Sequence, residues 1–394
     1  MSPREVARIM RSRRILSNVV LALLLSLAPS VAHAEDRLPL DAKINNQPVR
    51  LAFDTGAEYP VLFRGAAERL GLKISKAWDK DQPLAPGKVP MDRAEECILD
   101  FGYGPQKSTF GVVDMPGGLP ADIDGVISWN VFTNFVIELD AEKPGWGFLA
   151  DLPTNLNGWA KWKLVPDSVY LEFECSNGKE SAKIGIDTGD SGGVALGPQR
   201  WRKWSAERAD KTATISADVY PLDGMVIRQV LRARKITIGG LDLVDVPVTV
   251  ALSSAGVGWG HCDAVLGLHV FKQLKLLVDA KHGSLYTKPI RLSTGEYKYN
   301  RLGAVFVPID LERTDDLIAH VVRDSPAYRA GIRDGDVLLK IGILNVTVWR
   351  TDPYILPLGR FWSQPAGTKQ KLVLKRGGQQ YETAVTLEEL PAVD

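Results

Sequence analysis

Cysteine is scarce in this chain, with three in 394 residues: Cys97, Cys175 and Cys262. An odd count excludes a complete disulfide framework, leaving one bridge plus a thiol or three buried thiols. No Cys-x-x-Cys and no paired-His spacing occurs, so the spacing points to no metal site, and no cofactor is expected. A surplus of one charge is missing too. Against 48 Lys and Arg stand 47 Asp and Glu, a net charge of +1 that gives no electrostatic footprint for nucleic acid. The apolar run Val19–Ala28 is too short to span a bilayer comfortably, so no stable membrane insertion is expected.

That run has a different use. Arg4, Arg8, Arg11, Arg13 and Arg14 precede it, and the small-x-small signal Ala32-His-Ala34 follows it. Together they read as a secretory signal peptide over residues 1–34, cut after Ala34. No Cys follows the cut, which argues against a lipid anchor, and Ser12-Arg13-Arg14 is only a fragment of a twin-arginine signal. The rest is globular in composition, 45% hydrophobic and 24% charged, and long enough for two or three cores. Its 36 Gly and 24 Pro suit a strand-rich protein with many turns.

The chain is organised around two copies of one motif. Leu51-Ala-Phe-Asp-Thr-Gly-Ala57 and Ile184-Gly-Ile-Asp-Thr-Gly-Asp190 each run an apolar strand into Asp-Thr-Gly. One Asp-Thr-Gly arises by chance in roughly one chain in ten of this length, so a single copy would mean little. Here each copy has a second matching segment. Asp124-Gly-Val-Ile-Ser-Trp-Asn-Val-Phe132 aligns without a gap with Asp263-Ala-Val-Leu-Gly-Leu-His-Val-Phe271. The ordered pair marks a duplicated unit. A buried carboxylate at each strand end is costly alone, whereas two brought face to face can share a proton.

Local signals fill in the units. Leu38 to Phe53 reads as a hairpin turning at Asn45-Asn46, and Ala66 to Leu72 as a short helix stopped at Gly71. Residues 153–166 separate the copies. Polar stretches at 76–95 and 211–232 are candidates for flaps over a cleft, with Tyr220 a candidate flap aromatic. Gly189-Asp-Ser-Gly-Gly193 imitates the nucleophile signature of chymotrypsin-like serine proteases. Before Ser191, however, only His33 is available as a base, and it lies in the signal peptide.

On these motifs the chain resembles the retropepsin-like aspartic proteases over roughly residues 36 to 290. The resemblance implies a mostly β fold of two pseudo-twofold-related lobes, retropepsin- or pepsin-like, at 35–152 and 160–290. It makes Asp54 and Asp187 the catalytic pair. Thr55 and Thr188 would link the two loops by hydrogen bonds, and Gly56 and Gly189 would allow the turns. Both halves lie in one chain, so a monomer suffices, while a dimer pairing the aspartates across chains is the rival. Two positions depart from the family pattern: Asp190 stands where Ala, Ser or Thr is usual, and Ser128 where the second unit has Gly267.

Beyond Tyr297 the pattern changes. Ser325-Pro-Ala-Tyr-Arg-Ala-Gly-Ile-Arg-Asp-Gly-Asp-Val-Leu338 and Leu372-Val-Leu-Lys-Arg-Gly-Gly378 resemble a PDZ domain of the bacterial sort, at 300–390. Such domains bind a peptide C-terminus or strand at a sheet edge, which makes Leu302, Gly303, Ala304 and Val305 the candidate peptide-binding residues. Taken together, the resemblances imply a periplasmic or secreted bacterial aspartic endopeptidase acting on protein or peptide. The alternative is a catalytically impaired, protease-like peptide-binding scaffold.

Overall fold

The computed structural model describes residues 38–76, 91–114, 122–140, 146–166, 168–208, 213–220, 224–251, 253–254, 257–290, 297–308, 315–352, 355–356 and 358–394. The expected signal peptide lies outside them, as does most of the polar stretch at 76–95. Strands take 48% of the chain and helices 13%, so the fold is mostly β.

The first unit begins with the expected hairpin. Strands Pro39–Ile44 and Gln47–Asp54 pair antiparallel around Asn45 (φ 48°) and Asn46 (φ 66°). Two consecutive left-handed residues make the tight turn whose twist matches the flanking strands, and Asn tolerates that conformation. A helix follows at Arg64–Arg69, and the chain leaves it through Gly71 at φ 67°. The last four residues of Gln47–Asp54 are all buried, and so are those of Ser181–Asp187. Both faces of each strand are covered there, which explains why the sequence approaching each Asp is continuously apolar.

Each of these motif strands pairs in parallel with the second matching segment of its own unit. Gln47–Asp54 lies beside Gly125–Ser128, placing Asp54 opposite Ser128. Ser181–Asp187 lies beside Ala264–Gly267, placing Asp187 opposite Gly267. An aspartate anchors each pairing. Asp124 Oδ2 accepts the Arg50 N–H and Asp263 Oδ2 accepts the Lys183 N–H, both at 2.9 Å.

The units meet in a shared sheet. Strand Val136–Leu139 of the first pairs antiparallel with Leu274–Asp279 of the second, Glu138 opposite Leu277. These two positions have the same offset as Asp124 and Asp263, so they correspond in the duplication. A strand pair centred on corresponding residues puts the pseudo-twofold axis through that pair. One hydrophobic core runs through both units, from Phe53, Phe132 and Phe148 to Phe173, Ile186 and Val248. The separator expected at 153–166 is partly structural: strand Ala160–Leu164 joins the shared sheet beside Ser284–Pro289. Its exposed Lys161 and Lys163 hide a strand whose other face carries Trp162 and Leu164.

The polar stretch at 211–232 is also largely strand. Thr214–Tyr220 and Gly224–Ile238 form a long hairpin in which Tyr220 pairs with Gly224. After Tyr297 a separate sheet forms, in the order Ala304–Pro308, Leu317–Val321, Val337–Ile341, Lys369–Arg376, Gln379–Thr386, around its own core. Helix Pro326–Arg329 is capped by Ser325, whose Oγ accepts the Tyr328 N–H. This module packs on the hairpin: Val305 and Val307 cluster with Ile215, and Asn300 Nδ2 donates to the Ile215 carbonyl at 2.9 Å. The chain then returns, and Ala392–Val393 adds in parallel to Arg232 and Ala233 of the hairpin.

Candidate active site

The two Asp-Thr-Gly turns interlock. Thr55 N–H donates to Thr188 Oγ1 and Thr188 N–H donates to Thr55 Oγ1, each at 3.0 Å. Each hydroxyl then donates across the junction: Thr55 to the Ile186 carbonyl at 2.6 Å, Thr188 to the Phe53 carbonyl at 2.9 Å. Both threonines are fully buried, so this exchange satisfies polar groups that would otherwise be costly there.

The carboxylates follow from that lock. Asp54 Oδ1 accepts the Gly56 N–H at 2.8 Å, and Asp187 Oδ1 accepts the Gly189 N–H at 2.9 Å. A Cβ on Gly56 would lie 2.7 Å from Asp187 Oδ1. Gly56 therefore touches both carboxyl groups, and a side chain there would collide with the second. The pair is deeply buried, Asp54 at 1% and Asp187 at 4% exposure. Burial first, then the charges of Asp54 and Asp190, hold Asp187 well above the usual carboxylate range; the Gly189 N–H and the Trp259 indole pull the other way.

The surroundings of the two turns differ. Trp259 Nε1–H donates to Asp187 Oδ2 at 3.2 Å, and its ring packs over Gly185, where a Cβ would meet it at 2.4 Å. Tyr170 packs tilted against that indole, with ring centroids 4.7 Å apart, and its hydroxyl donates to Glu58 Oε1 at 2.9 Å. Glu58 is buried in turn, and burial pushes its carboxyl up to about 7 against the effect of the Tyr170 hydroxyl. Glu58, Tyr170 and Trp259 are missing from the sequence reading. Glu58 lies four residues after Asp54, which was a usable signal; the other two carry none, because only folding brings them there.

The two irregular positions have local explanations. Asp190 Oδ1 accepts the Gly192 N–H at 2.7 Å in a tight turn, yet its charge still raises Asp187. Gly267 is required where it stands: a Cβ would lie 2.4 Å from the Gly192 carbonyl oxygen and 2.9 Å from that of Asp190. At the corresponding place Ser128 fits, fully buried, with its hydroxyl on Asn130 Oδ1 at 2.6 Å. Asn130 Nδ2 holds the Glu58 carbonyl at 2.8 Å, so the first turn takes a different course past this position.

Tyr220 ends the first strand of the hairpin, but its side chain lies outside the described residues. In the C-terminal module, the Leu302 and Gly303 N–H groups donate to Asn300 Oδ1 at 3.0 and 3.2 Å. Two of the candidate peptide-binding residues therefore have their backbone N–H groups on an acceptor inside the chain. Ala304 points into the module core and Val305 onto the hairpin cluster. Their strand is the last of its sheet. A groove of about 770 Å³ opens elsewhere, beside Trp129, Lys161, Leu164, Pro166 and His282, and neither aspartate lines it. Among the described residues all three cysteines are free, buried thiols.

Residues 40–127 match a protein family described as aspartyl protease. No curated protein matches the chain. A solved structure, the EIAV protease complexed with the inhibitor HBY-793, matches at 18% identity over 24% of this chain and 85% of that one, with a TM-score of 0.20.

Proposed function

We propose that this chain is an exported aspartic endopeptidase in which Asp54 and Asp187, within one molecule, activate water against a peptide bond. The observation that carries the reading is the reciprocal Thr55–Thr188 exchange, which draws both carboxyl groups against Gly56. Two buried carboxyls so close cannot both ionise readily, and they share a proton. The ionised partner takes a proton from water as its oxygen attacks the carbonyl carbon, and the protonated partner gives its own to the carbonyl oxygen. Collapse of the tetrahedral adduct, with a proton passed to the nitrogen, cleaves the bond. The dyad titrates as a unit, so neither role is assigned to one residue. The hairpin arm Thr214–Val230 serves as flap. The C-terminal module acts as a PDZ-type binder, an extended peptide adding to the edge of Ala304–Pro308.

The test compares wild type with Asp54→Asn and Asp187→Asn on unfolded casein. Each variant should lose about 10²–10⁴-fold in kcat/KM, the contribution of general acid–base catalysis. Equal cleavage by all three would overturn the proposal. Specific activity should stay constant on dilution; a fall would favour the dimeric rival.

A second reading has its own observation. The Trp259 indole N–H occupies Asp187 Oδ2 and both aspartates are almost unexposed, so a substrate carbonyl would reach that oxygen only once the indole moves. In a catalytically impaired scaffold that contact is permanent. In the enzyme it opens, and Trp259→Ala should raise cleavage of short peptides. Peptide binding without cleavage, in wild type and Trp259→Ala alike, would favour the scaffold.

A further inference from the structure

Beside Tyr170, whose ring centroid lies 6.5 Å from that of His261, a second group of side chains converges. Glu172 opens strand Glu172–Ser176 and is 2% exposed; His261 and Cys262 lie in the short segment before Ala264–Gly267. One carboxylate oxygen, one imidazole nitrogen and the thiol sulfur all fall within 4.8 Å of one another. The Cys262 thiol points at Glu172 Oε1 at 3.6 Å, and His261 Nε2 meets the same oxygen. The other oxygen, Oε2, is held by Lys183 Nζ at 3.0 Å.

We propose that Glu172, His261 and Cys262 form a binding site for a divalent metal ion of the zinc type. Thiolate, imidazole and carboxylate together select such an ion over calcium or magnesium, which prefer oxygen alone. With ordinary zinc bond lengths, the sulfur–oxygen edge of a tetrahedron is about 3.5 Å, close to the distance between Cys262 and Glu172. The His261 edge must open, and that side chain, 44% exposed, has room to do so. Cys262 and Glu172 are buried and His261 is the exposed member, so an ion would enter past His261. On binding, the thiol releases its proton to solvent, and thiolate and carboxylate offset the two charges of the ion, leaving the Lys183 ammonium as the net charge of the cluster. Lys183 fits as the outer partner: it occupies Oε2 and leaves Oε1 aimed at the other two donors, the way metal-bound carboxylates are commonly oriented.

The site lies outside the dyad and does not depend on proteolysis. It is nevertheless two residues from Trp259, whose indole bonds Asp187. An ion there would tie that segment to the strand Glu172–Ser176.

The experiment uses the full chain stripped of metal, titrated with Zn²⁺ in a calorimeter and with Co²⁺ by visible absorption. One equivalent should bind, with a thiolate-to-cobalt charge-transfer band. His261→Ala and Cys262→Ser should abolish that band and the saturable heat. Lys183→Met should weaken binding by about 10–100-fold, as loss of an outer-shell partner does. Zinc should raise the Tm of wild type and not that of His261→Ala. Should Cys262→Ser fold poorly, as circular dichroism would reveal, His261→Ala still decides, because its side chain is half exposed. Absence of the band in wild type, or equal zinc binding by wild type and His261→Ala, would overturn the proposal and leave only the His261–Glu172 contact.

Discussion

The two Asp-Thr-Gly turns are alike at the backbone and unlike one layer out. Phe53-Asp-Thr-Gly56 and Ile186-Asp-Thr-Gly189 make the same bonds within a few tenths of an ångström, and Asp124 and Asp263 brace them alike. Beyond that, Asp187 has the indole of Trp259 and the charge of Asp190, while the first turn has Glu58, tied to Tyr170. The difference teaches where the duplication remains constrained. Each threonine needs its twin as acceptor, so neither can change alone. The outer residues have no such twin and have diverged.

The comparison breaks most sharply at Gly267 and Ser128. Gly267→Ala would drive a Cβ into two backbone carbonyls, which cannot rotate away, and should cost about 3 kcal/mol, the upper end of ordinary overpacking. Ser128→Ala loses only the bond to Asn130 and should cost about 1 kcal/mol. Urea unfolding measures both, and equal losses would mean that the turns are more alike than they look.

Thr55→Ala and Thr188→Ala sharpen the symmetric side. Each strands a buried N–H of the opposite turn and should cost about 1–3 kcal/mol. The two losses should match, because each hydroxyl makes one bond to the opposite N–H and one to an opposite carbonyl.

Glu58 tests the first turn's own layer. Its folded carboxyl titrates at about 7, above the usual 4.5, so the folded state holds a proton that the unfolded chain releases earlier. Stability from this group is fully present below about pH 4.5 and is lost as pH rises through 7. In Glu58→Gln, urea midpoints measured across that window should fall less steeply than in wild type.

The smallest effect is expected at the second turn. Asp190→Asn removes a charge that raises Asp187, so the limbs of the kcat/KM–pH profile governed by the dyad should shift to lower pH. An unchanged profile would mean that Gly192 and the turn already neutralise Asp190.

What could be read from residues alone follows the same division. The Asp-Thr-Gly copies, their partner segments and the Asn45-Asn46 turn are local patterns, and the duplication makes two of them reinforce each other. The outer layer was not readable, because its contacts join distant residues: Trp259 to Asp187 across 72 positions, Tyr170 to Glu58 across 112, His261 to Glu172 across 89. The same distance hid the Glu172, His261 and Cys262 donors, which obey no short spacing. Strand Ala160–Leu164 escaped for another reason. Its alternation of Lys with Trp and Leu acquires meaning only beside Ser284–Pro289, which lies more than a hundred residues on.

The tail offers a practical vantage. Ala392–Val393 pairs with Arg232 and Ala233 at the base of the hairpin proposed as flap, and Arg234 Nε donates to the Asp394 carboxylate at 2.6 Å across 160 positions. A fluorophore attached at Asp394 would sense the hairpin lifting without touching the cleft. For the same reason, an affinity handle joined there would load the base of the proposed flap, and belongs elsewhere on the chain.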